Sequence, residues 1–293
     1  MKKVDALIIG AGRSGTTTLY QYLDDHEDVC FSKIKEVHYF SLEDLYKRGN
    51  SYYENFFYPT ESQKLLTADT YLFIDKQAPE RIKKYNPEMK LIIMLRDPIT
   101  RAYSGYQYAL NNGYMKDSVS FREAIDNEKH HIQKSDIIAQ NNLCNLYQSK
   151  YYEHISYWMQ FFSKDQFLIL QTKDLKENRI DLLNKLADFL DISKFNTDSD
   201  QVQANKAAKT KSKVLQQFLL NRNNPMRIML RKILPKKVKT KILHSGISEK
   251  LMKINRRETA YMPLSESHKE YCKEVLKEDL QLLKNEYGIY FTE

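Results

Sequence analysis

Along this chain, short continuous apolar runs alternate with stretches whose apolar residues recur at helical spacing. Val4–Ile9, broken only by Asp5, is apolar and rich in β-branched residues, which predicts a short buried strand. Asp28–Ser32, Tyr71–Ile74 and Phe167–Leu170 predict further strands. The clearest is Leu91–Leu95, LIIML, whose lack of any polar residue is expected of a parallel sheet covered on both faces. Helical patterns lie between these runs. Leu19, Tyr22 and Leu23 share a face after the first strand, and Ala78-Pro-Glu-Arg-Ile82 opens a helix with its proline in the permitted first turn. Asp97-Pro98 offers an N-cap carboxylate and a first-turn proline, after which Arg101, Ser104 and Tyr108 fall on one helical face. Residues 117–165 are mostly helical in pattern, with Tyr151, Ile155, Trp158 and Phe162 as a core stripe. Ile180–Leu190 is an amphipathic helix. A last helix, about 265–287, carries Ser267 and Glu270 in capping-box spacing. Tyr271, Val275, Leu276, Leu280 and Leu283 line one side of it, and Gly288 suits its C-cap. Strands alternating with helices predict an α/β fold of three layers, a central parallel sheet flanked by helices.

Composition narrows the class. The 293 residues, 42% hydrophobic and 29% charged, suit one folded domain spanning 1–293, or a domain with a helical extension. Asp5 interrupts the apolar N-terminal run and Arg13 follows too soon for a signal peptide, so the run is expected to be a core strand. No apolar run approaches membrane-spanning length. Cys30, Cys144 and Cys272 form neither a disulfide framework nor a zinc pattern, which points to a reducing, cytoplasmic setting. His130 and His131 lack metal-ligand companions and are expected in solvent. Net charge is +8, unevenly spread: residues 206–257 hold 11 Lys and 5 Arg against one acid, Glu249, and the remainder is net acidic.

The candidate chemistry sits where the first strand ends. Gly10-Ala-Gly-Arg-Ser-Gly15 leads into Thr16, Thr17 and Thr18 at the start of a helix. Strand, glycine-rich turn and helix N-terminus together make an anion site, because free amides converge there and the helix dipole favours negative charge. Gly10, Gly12 and Gly15 fit the dinucleotide pattern G-x-G-x-x-G. Gly10 and Gly15 also fit the frame of a nucleotide-triphosphate loop, but Thr16 stands where its lysine belongs. The third reading takes Arg13-Ser14-Gly15-Thr16-Thr17 as one unit around a single phosphate. A tight structural turn is the plain alternative.

That RSGTT unit resembles the 5′-phosphosulfate loop of sulfotransferases that use 3′-phosphoadenosine-5′-phosphosulfate (PAPS). Leu91–Ser104, LIIMLRDPITRAYS, resembles the family's 3′-phosphate segment, in which Arg96 and Ser104 take the gripping positions. A strand-end guanidinium binds phosphate bidentately and the helix serine adds a hydroxyl. Lys35-Glu-Val-His-Tyr-Phe40 resembles the KEVHFF-type segment of the glycan branch, which includes heparan sulfate enzymes. Ala78-Pro-Glu-Arg-Ile82, the stretch around Tyr151–Leu190 and Pro263-Leu-Ser-Glu-Ser resemble bacterial members. The likeness covers most of the chain and implies a P-loop-like fold.

The resemblance implies sulfuryl transfer from PAPS to an acceptor hydroxyl or amine on a glycan or glycolipid, with no metal. Arg13 and the Ser14–Thr17 amides would hold the phosphosulfate and stabilise the leaving phosphate oxygen. Arg96 and Ser104 would anchor the 3′-phosphate. Glu36 would take the acceptor proton, with Lys35 and His38 flanking the acceptor and His38 a second proton-transfer candidate. Surface or ion-paired roles are the plain alternatives for Glu36 and Arg96, the latter with Asp97 or Glu36 as partner. Two departures stand out. Arg13 replaces a lysine common in glycan members, and Thr67-Ala-Asp-Thr-Tyr71 replaces a segment that carries another lysine. A sterol or small lipid alcohol is the alternative acceptor. An NAD or FAD oxidoreductase and a non-catalytic binding module are the alternatives of other classes.

Two stretches have open roles. Tyr46–Tyr58, with Tyr52, Tyr53, Phe56 and Phe57, suits helix turns packed in the core, or a wall for an acceptor. Pro225–Leu243 mixes Lys and Arg with Ile, Leu and Met, as an interfacial helix on the inner face of an anionic membrane does. The same basic region suits guidance of an anionic glycan, a nucleotide cover through Lys206, Lys209 or Lys211, or a solvated face. Pro225–Leu243 contains no aromatic residue, which disfavours a nucleic-acid partner.

Overall fold

The structure is a computed structural model that describes residues 2–60, 62–134, 136–195, 208–220 and 262–291, with positions 224, 229, 233, 251 and 254–258 between. Five parallel strands form the sheet: β1 (Ala6–Gly10), β2 (Val29–Phe31), β3 (Lys64–Ala68), β4 (Lys90–Leu95) and β5 (Phe167–Gln171), in the order β2-β3-β1-β4-β5. Successive side chains point to opposite faces, so each apolar run feeds two cores. Leu7, Ile9, Leu91, Ile93 and Leu95 pack on one face with Tyr53, Tyr85, Tyr151, Ile155, Trp158 and Phe162. Ala6, Ile8, Ile92 and Met94 pack on the other with Leu19, Leu23, Leu183 and Leu186. Both faces are covered, which is why these runs carry no polar alternation.

The helices that position the site are α1 (Thr16–Asp24), α2 (Glu43–Tyr46), α3 (Asn50–Glu54), α4 (Ala78–Tyr85) and α5 (Pro98–Asn111). α5 begins where expected, since Asp97 Oδ1 accepts a 2.8 Å hydrogen bond from the Thr100 amide. In the aromatic stretch Tyr53 and Phe57 are buried in the core and Tyr46, Tyr52 and Phe56 pack against it, whereas Tyr58 is 64% exposed. Helix Tyr151–Trp158 and helix Arg179–Leu190 follow the periodicity read from the sequence. His130 is exposed.

Three expectations are corrected. The third strand is Lys64–Ala68, and Tyr71–Ile74 is no strand, since Leu72–Ile74 forms a 3₁₀ turn. The reason lies in where the side chains go. Leu72, Phe73 and Ile74 all enter the same core, whereas the strand residues Leu65 and Leu66 divide between the two. The cap of helix Glu266–Tyr287 is Ser265, whose hydroxyl accepts from the His268 amide, and not Ser267. Val275 on that helix is 39% exposed; Cys272, Leu276 and Leu283 are its buried apolar residues. Gly288 does close it, at φ +68°.

Most of 206–257 and of Pro225–Leu243, Lys206 included, lies outside the described residues. Of that region the structure describes an antiparallel pair, Ala208–Thr210 with Arg256–Glu258, and helix Lys213–Leu220. Lys211 is exposed. No helix among the described residues is long and apolar enough to cross a membrane.

Two stability predictions follow from the packing. A Cβ on Gly10 would stand 2.6 Å from Phe73 Cβ, so Gly10→Ala should destabilise the fold by about 1–3 kcal/mol in chemical denaturation. Burial pushes the fully enclosed His154 imidazole down to about 3 from 6.5. Its contribution to stability is therefore complete above pH 6.5 and lost as pH falls towards 3, because the unfolded chain takes a proton that the folded one refuses. Thermal midpoints across that interval should fall less steeply for His154→Gln than for the unaltered chain.

Candidate active site

The carboxyl ends of β1, β3, β4 and β5 meet at one edge, and the candidate residues hang from that edge. In open parallel sheets this is where ligands bind. β1 breaks its register with β4 between Ile8 and Gly10, and the chain then leaves the sheet through the glycine-rich loop. Ala11 is held by a 2.8 Å bond from its amide to the Met94 carbonyl, and the Ser14 amide closes the turn on the Ala11 carbonyl at 3.3 Å. Ser14 is fully buried, so its part in the loop is the turn itself. Gly15 is the N-cap of α1 at φ +88°, and no side chain caps the helix. The first-turn amides of Gly15, Thr16 and Thr17 have no acceptor within the helix, an arrangement that suits an anion.

Charge converges on the same point. Arg13, exposed and at φ +68°, lies with its guanidinium 4.8 Å from the Tyr108 ring centroid, and its Nε donates to Ser104 Oγ at 3.4 Å. Arg13 and Ser104, assigned to different phosphates by the sequence pattern, thus touch across 91 residues of chain. Arg96 ends β4, half-buried, with its carbonyl held by the Tyr151 hydroxyl at 2.8 Å. Burial, and then repulsion from Arg13, hold the Arg96 pKa below its usual value. Among the described residues Arg96 forms no ion pair with Asp97, Glu36 or any other carboxylate. Two guanidiniums that repel one another beside an uncapped helix N-terminus suit an anion with more than one charged group.

The Lys35–Phe40 segment joins this loop. Lys35 Nζ donates to Thr17 Oγ1 at 2.7 Å and stands 4.0 Å from Glu36 Oε1. Burial lowers the Lys35 pKa, partly offset by the Glu36 charge. Glu36 accepts from the Thr70 hydroxyl at 3.2 Å, while its amide donates to the Ala68 carbonyl at 2.8 Å. His38 Nδ1 lies 2.9 Å from Asp69 Oδ1, and its ring sits 4.1 Å from that of Tyr71. Glu36 and His38 both adopt left-handed backbone, at φ +60° and +57°. Such conformations persist where the surroundings over-determine them, and they collect at functional sites.

Sequence reading missed several contributors. Asp69 and Thr70 hold His38 and Glu36 from the end of β3; Thr172, after β5, donates from Oγ1 to the Ser14 carbonyl at 2.6 Å. Arg101, expected on the face of Ser104 and Tyr108, is wholly buried and reaches the Gly12 carbonyl at 3.2 Å. No single residue type among these signals a role; each depends on which strand ends are neighbours.

A family model described as "Sulfotransferase domain" matches residues 3–263. Heparan sulfate glucosamine 3-O-sulfotransferase 5 of Mus musculus is 29% identical over 190 residues, covering 64% of this chain and 53% of that protein. The bifunctional heparan sulfate N-deacetylase/N-sulfotransferase of Drosophila melanogaster is 29% identical over 208 residues, covering 64% of this chain and 19% of that protein. This chain thus spans about half the length, or less, of these curated relatives. The crystal structure of a sulfotransferase from Alicyclobacillus acidocaldarius superposes with a TM-score of 0.68 at 16% identity, over 99% of this chain and 98% of that one. The shared fold is the P-loop-like one.

Proposed function

This chain belongs to the sulfotransferase family, and on that premise we propose that it moves a sulfuryl group from PAPS to a hydroxyl or amine of a glycan or glycolipid. The observation that carries the reading is the convergence of Arg13, bonded to Ser104 at 3.4 Å, on the uncapped N-terminus of α1, near enough to Arg96 for the two charges to repel. A nucleotide with phosphate at both 5′ and 3′ positions satisfies that arrangement. The glycan acceptor is supported by the relatives named for heparan sulfate. A sterol or small lipid alcohol is the alternative that the acceptor screen below distinguishes.

In this reading Arg13 and the amides of Gly15, Thr16 and Thr17 hold the 5′-phosphosulfate, while Ser14 shapes the turn. Arg96 and Ser104 hold the 3′-phosphate. The acceptor oxygen attacks sulfur as the bond from sulfur to the bridging phosphate oxygen breaks. Its proton passes to Glu36, and 3′,5′-adenosine bisphosphate (PAP) leaves. The charge that develops on the departing oxygen is met by Arg13 and the α1 amides. Lys35, fixed to Thr17, links the donor loop to Glu36, and His38, fixed to Asp69, flanks the acceptor. Positioning and charge stabilisation supply most of the catalysis, as in phosphoryl transfer.

Calorimetry with PAP, 5′-AMP, ATP and NAD tests the nucleotide. PAP should bind best, and Arg96→Ala should weaken it about 10–100-fold, the worth of one or two charge-assisted hydrogen bonds. Equal binding of 5′-AMP or NAD would overturn the reading. Glu36→Gln should keep PAP affinity yet lose about 10²–10⁴-fold in turnover. Retained turnover would remove Glu36 from the base role. Sulfate incorporated from PAPS into sterols, but not into glycans or glycolipids, would replace the acceptor class.

A further inference from the structure

We propose that Arg101, which is outside the set assigned to the nucleotide, is a positioning residue for the donor loop, and that it acts through the Gly12 carbonyl. The proposal rests on the sulfotransferase reading for the identity of the anion, and on geometry for the rest.

Arg101 is 0% exposed and spends its guanidinium on three acceptors in two segments, the glycine-rich loop and the stretch from Asn145 to Ser149. Its Nε donates to Ser149 Oγ at 2.6 Å, one terminal nitrogen donates to the Gly12 carbonyl at 3.2 Å, and the other donates to the Asn145 carbonyl. Ser149 passes its own proton on to the Pro98 carbonyl at 2.8 Å, so this hydroxyl both accepts and donates. A buried cation is expensive to keep where an apolar side chain would fill the space. Among the described residues none of its partners is a carboxylate. All three acceptors are neutral, and the nearby buried Glu128 offsets its charge without bonding to it.

The segment that receives Arg101 is itself fixed. Glu128, nearly buried, accepts from the Leu146 and Tyr147 amides at 2.7 and 2.8 Å. Asn145 lies against Gly105, one turn along α5 from Arg101, where a Cβ would collide with its side chain. The Gln148 amide group, anchored to the Asn141 carbonyl at 2.8 Å, lies behind Gly12. Gly12 is therefore pinned from outside the loop, immediately before Arg13 takes up its left-handed conformation at φ +68°. Holding the Gly12 carbonyl fixes the peptide that presents Arg13 and keeps that carbonyl dipole turned away from the incoming phosphate. Lysine has no planar fork and cannot make the three bonds together.

Arg101→Lys and Ser149→Ala test the brace, with Asp279→Asn as a control. Asp279 holds the Tyr152 and Glu153 amides of helix Tyr151–Trp158 at 3.1 and 3.0 Å and makes none of the bonds to Gly12 or Arg101. In folded protein, Arg101→Lys should weaken PAP binding at least tenfold and Ser149→Ala several-fold. The KM for PAPS should rise while the acceptor KM stays unchanged. Hydrogen exchange at the Gly12–Gly15 amides, read without ligand, should quicken in both. Asp279→Asn should lower the thermal midpoint and leave PAP affinity and those amides as they were. Should Arg101→Lys not fold, Ser149→Ala carries the test. Unchanged loop exchange and PAP affinity in the brace variants would overturn the proposal, and so would an equal loss in Asp279→Asn. Failure of the unaltered chain to bind PAP would strike the proposed function instead, with loop exchange still deciding the brace.

Discussion

Arg13 and Arg96 impose the constraint on which the site depends. Burial and the charge of Arg13 both disfavour the charged form of Arg96, and among the described residues no carboxylate relieves it by an ion pair. Like charges brought together at a half-buried edge cost free energy, so the fold must hold them there by other means. It does so through backbone. Arg96 is the residue at which β4 leaves the sheet, its carbonyl tied to Tyr151, and Arg13 is fixed between a buried serine and a carbonyl held by Arg101. A multiply charged anion of the kind proposed would relieve that repulsion.

The same logic extends to the acceptor side. Three of the four non-glycine residues with positive φ among the described residues are Arg13, Glu36 and His38. Each is stabilised by a neighbour from a different strand end or helix: Ser104 for Arg13, Thr70 for Glu36, Asp69 for His38. The loop after β3 therefore sets the orientation of both candidate proton acceptors. Thr17 and Lys35 connect the two halves, so that a change at the donor loop is felt one hydrogen bond from Glu36.

The sheet explains why these residues meet. Its strands run parallel, with β1 central between β3 and β4, so three consecutive strand ends open on one edge. The glycine-rich loop, Asp69-Thr70 and Arg96 are thereby neighbours although they are far apart in the chain. Gly10 at the mouth of the loop has no room for a side chain, because Phe73 from the following 3₁₀ turn packs against it. The apolar run Tyr71–Ile74 predicts a strand where this turn stands. Three consecutive apolar residues are ambiguous in isolation, and only the core they enter separates a turn from a strand.

Local chemistry wrote much of this into the chain. Leu91–Leu95 lacks any polar residue and is a covered strand, Asp97-Pro98 starts a helix, and the glycines before Thr16 make the turn that leads from strand to helix. The sequence also determined that Arg96 and Ser104 lie eight residues apart across a strand end and a helix start. What it could not contain is distance between elements. That Arg13 touches Ser104, that Asp69 holds His38 and that Thr172 holds Ser14 are consequences of strand order, which depends on how two apolar faces are covered at once. Arg101 shows the limit most clearly. Its helical position placed it beside Ser104, but its burial, and its reach to Gly12, were decided by a segment more than forty residues further on. Hydrogen bonds of a buried cation are set by packing, and packing is a property of the whole fold.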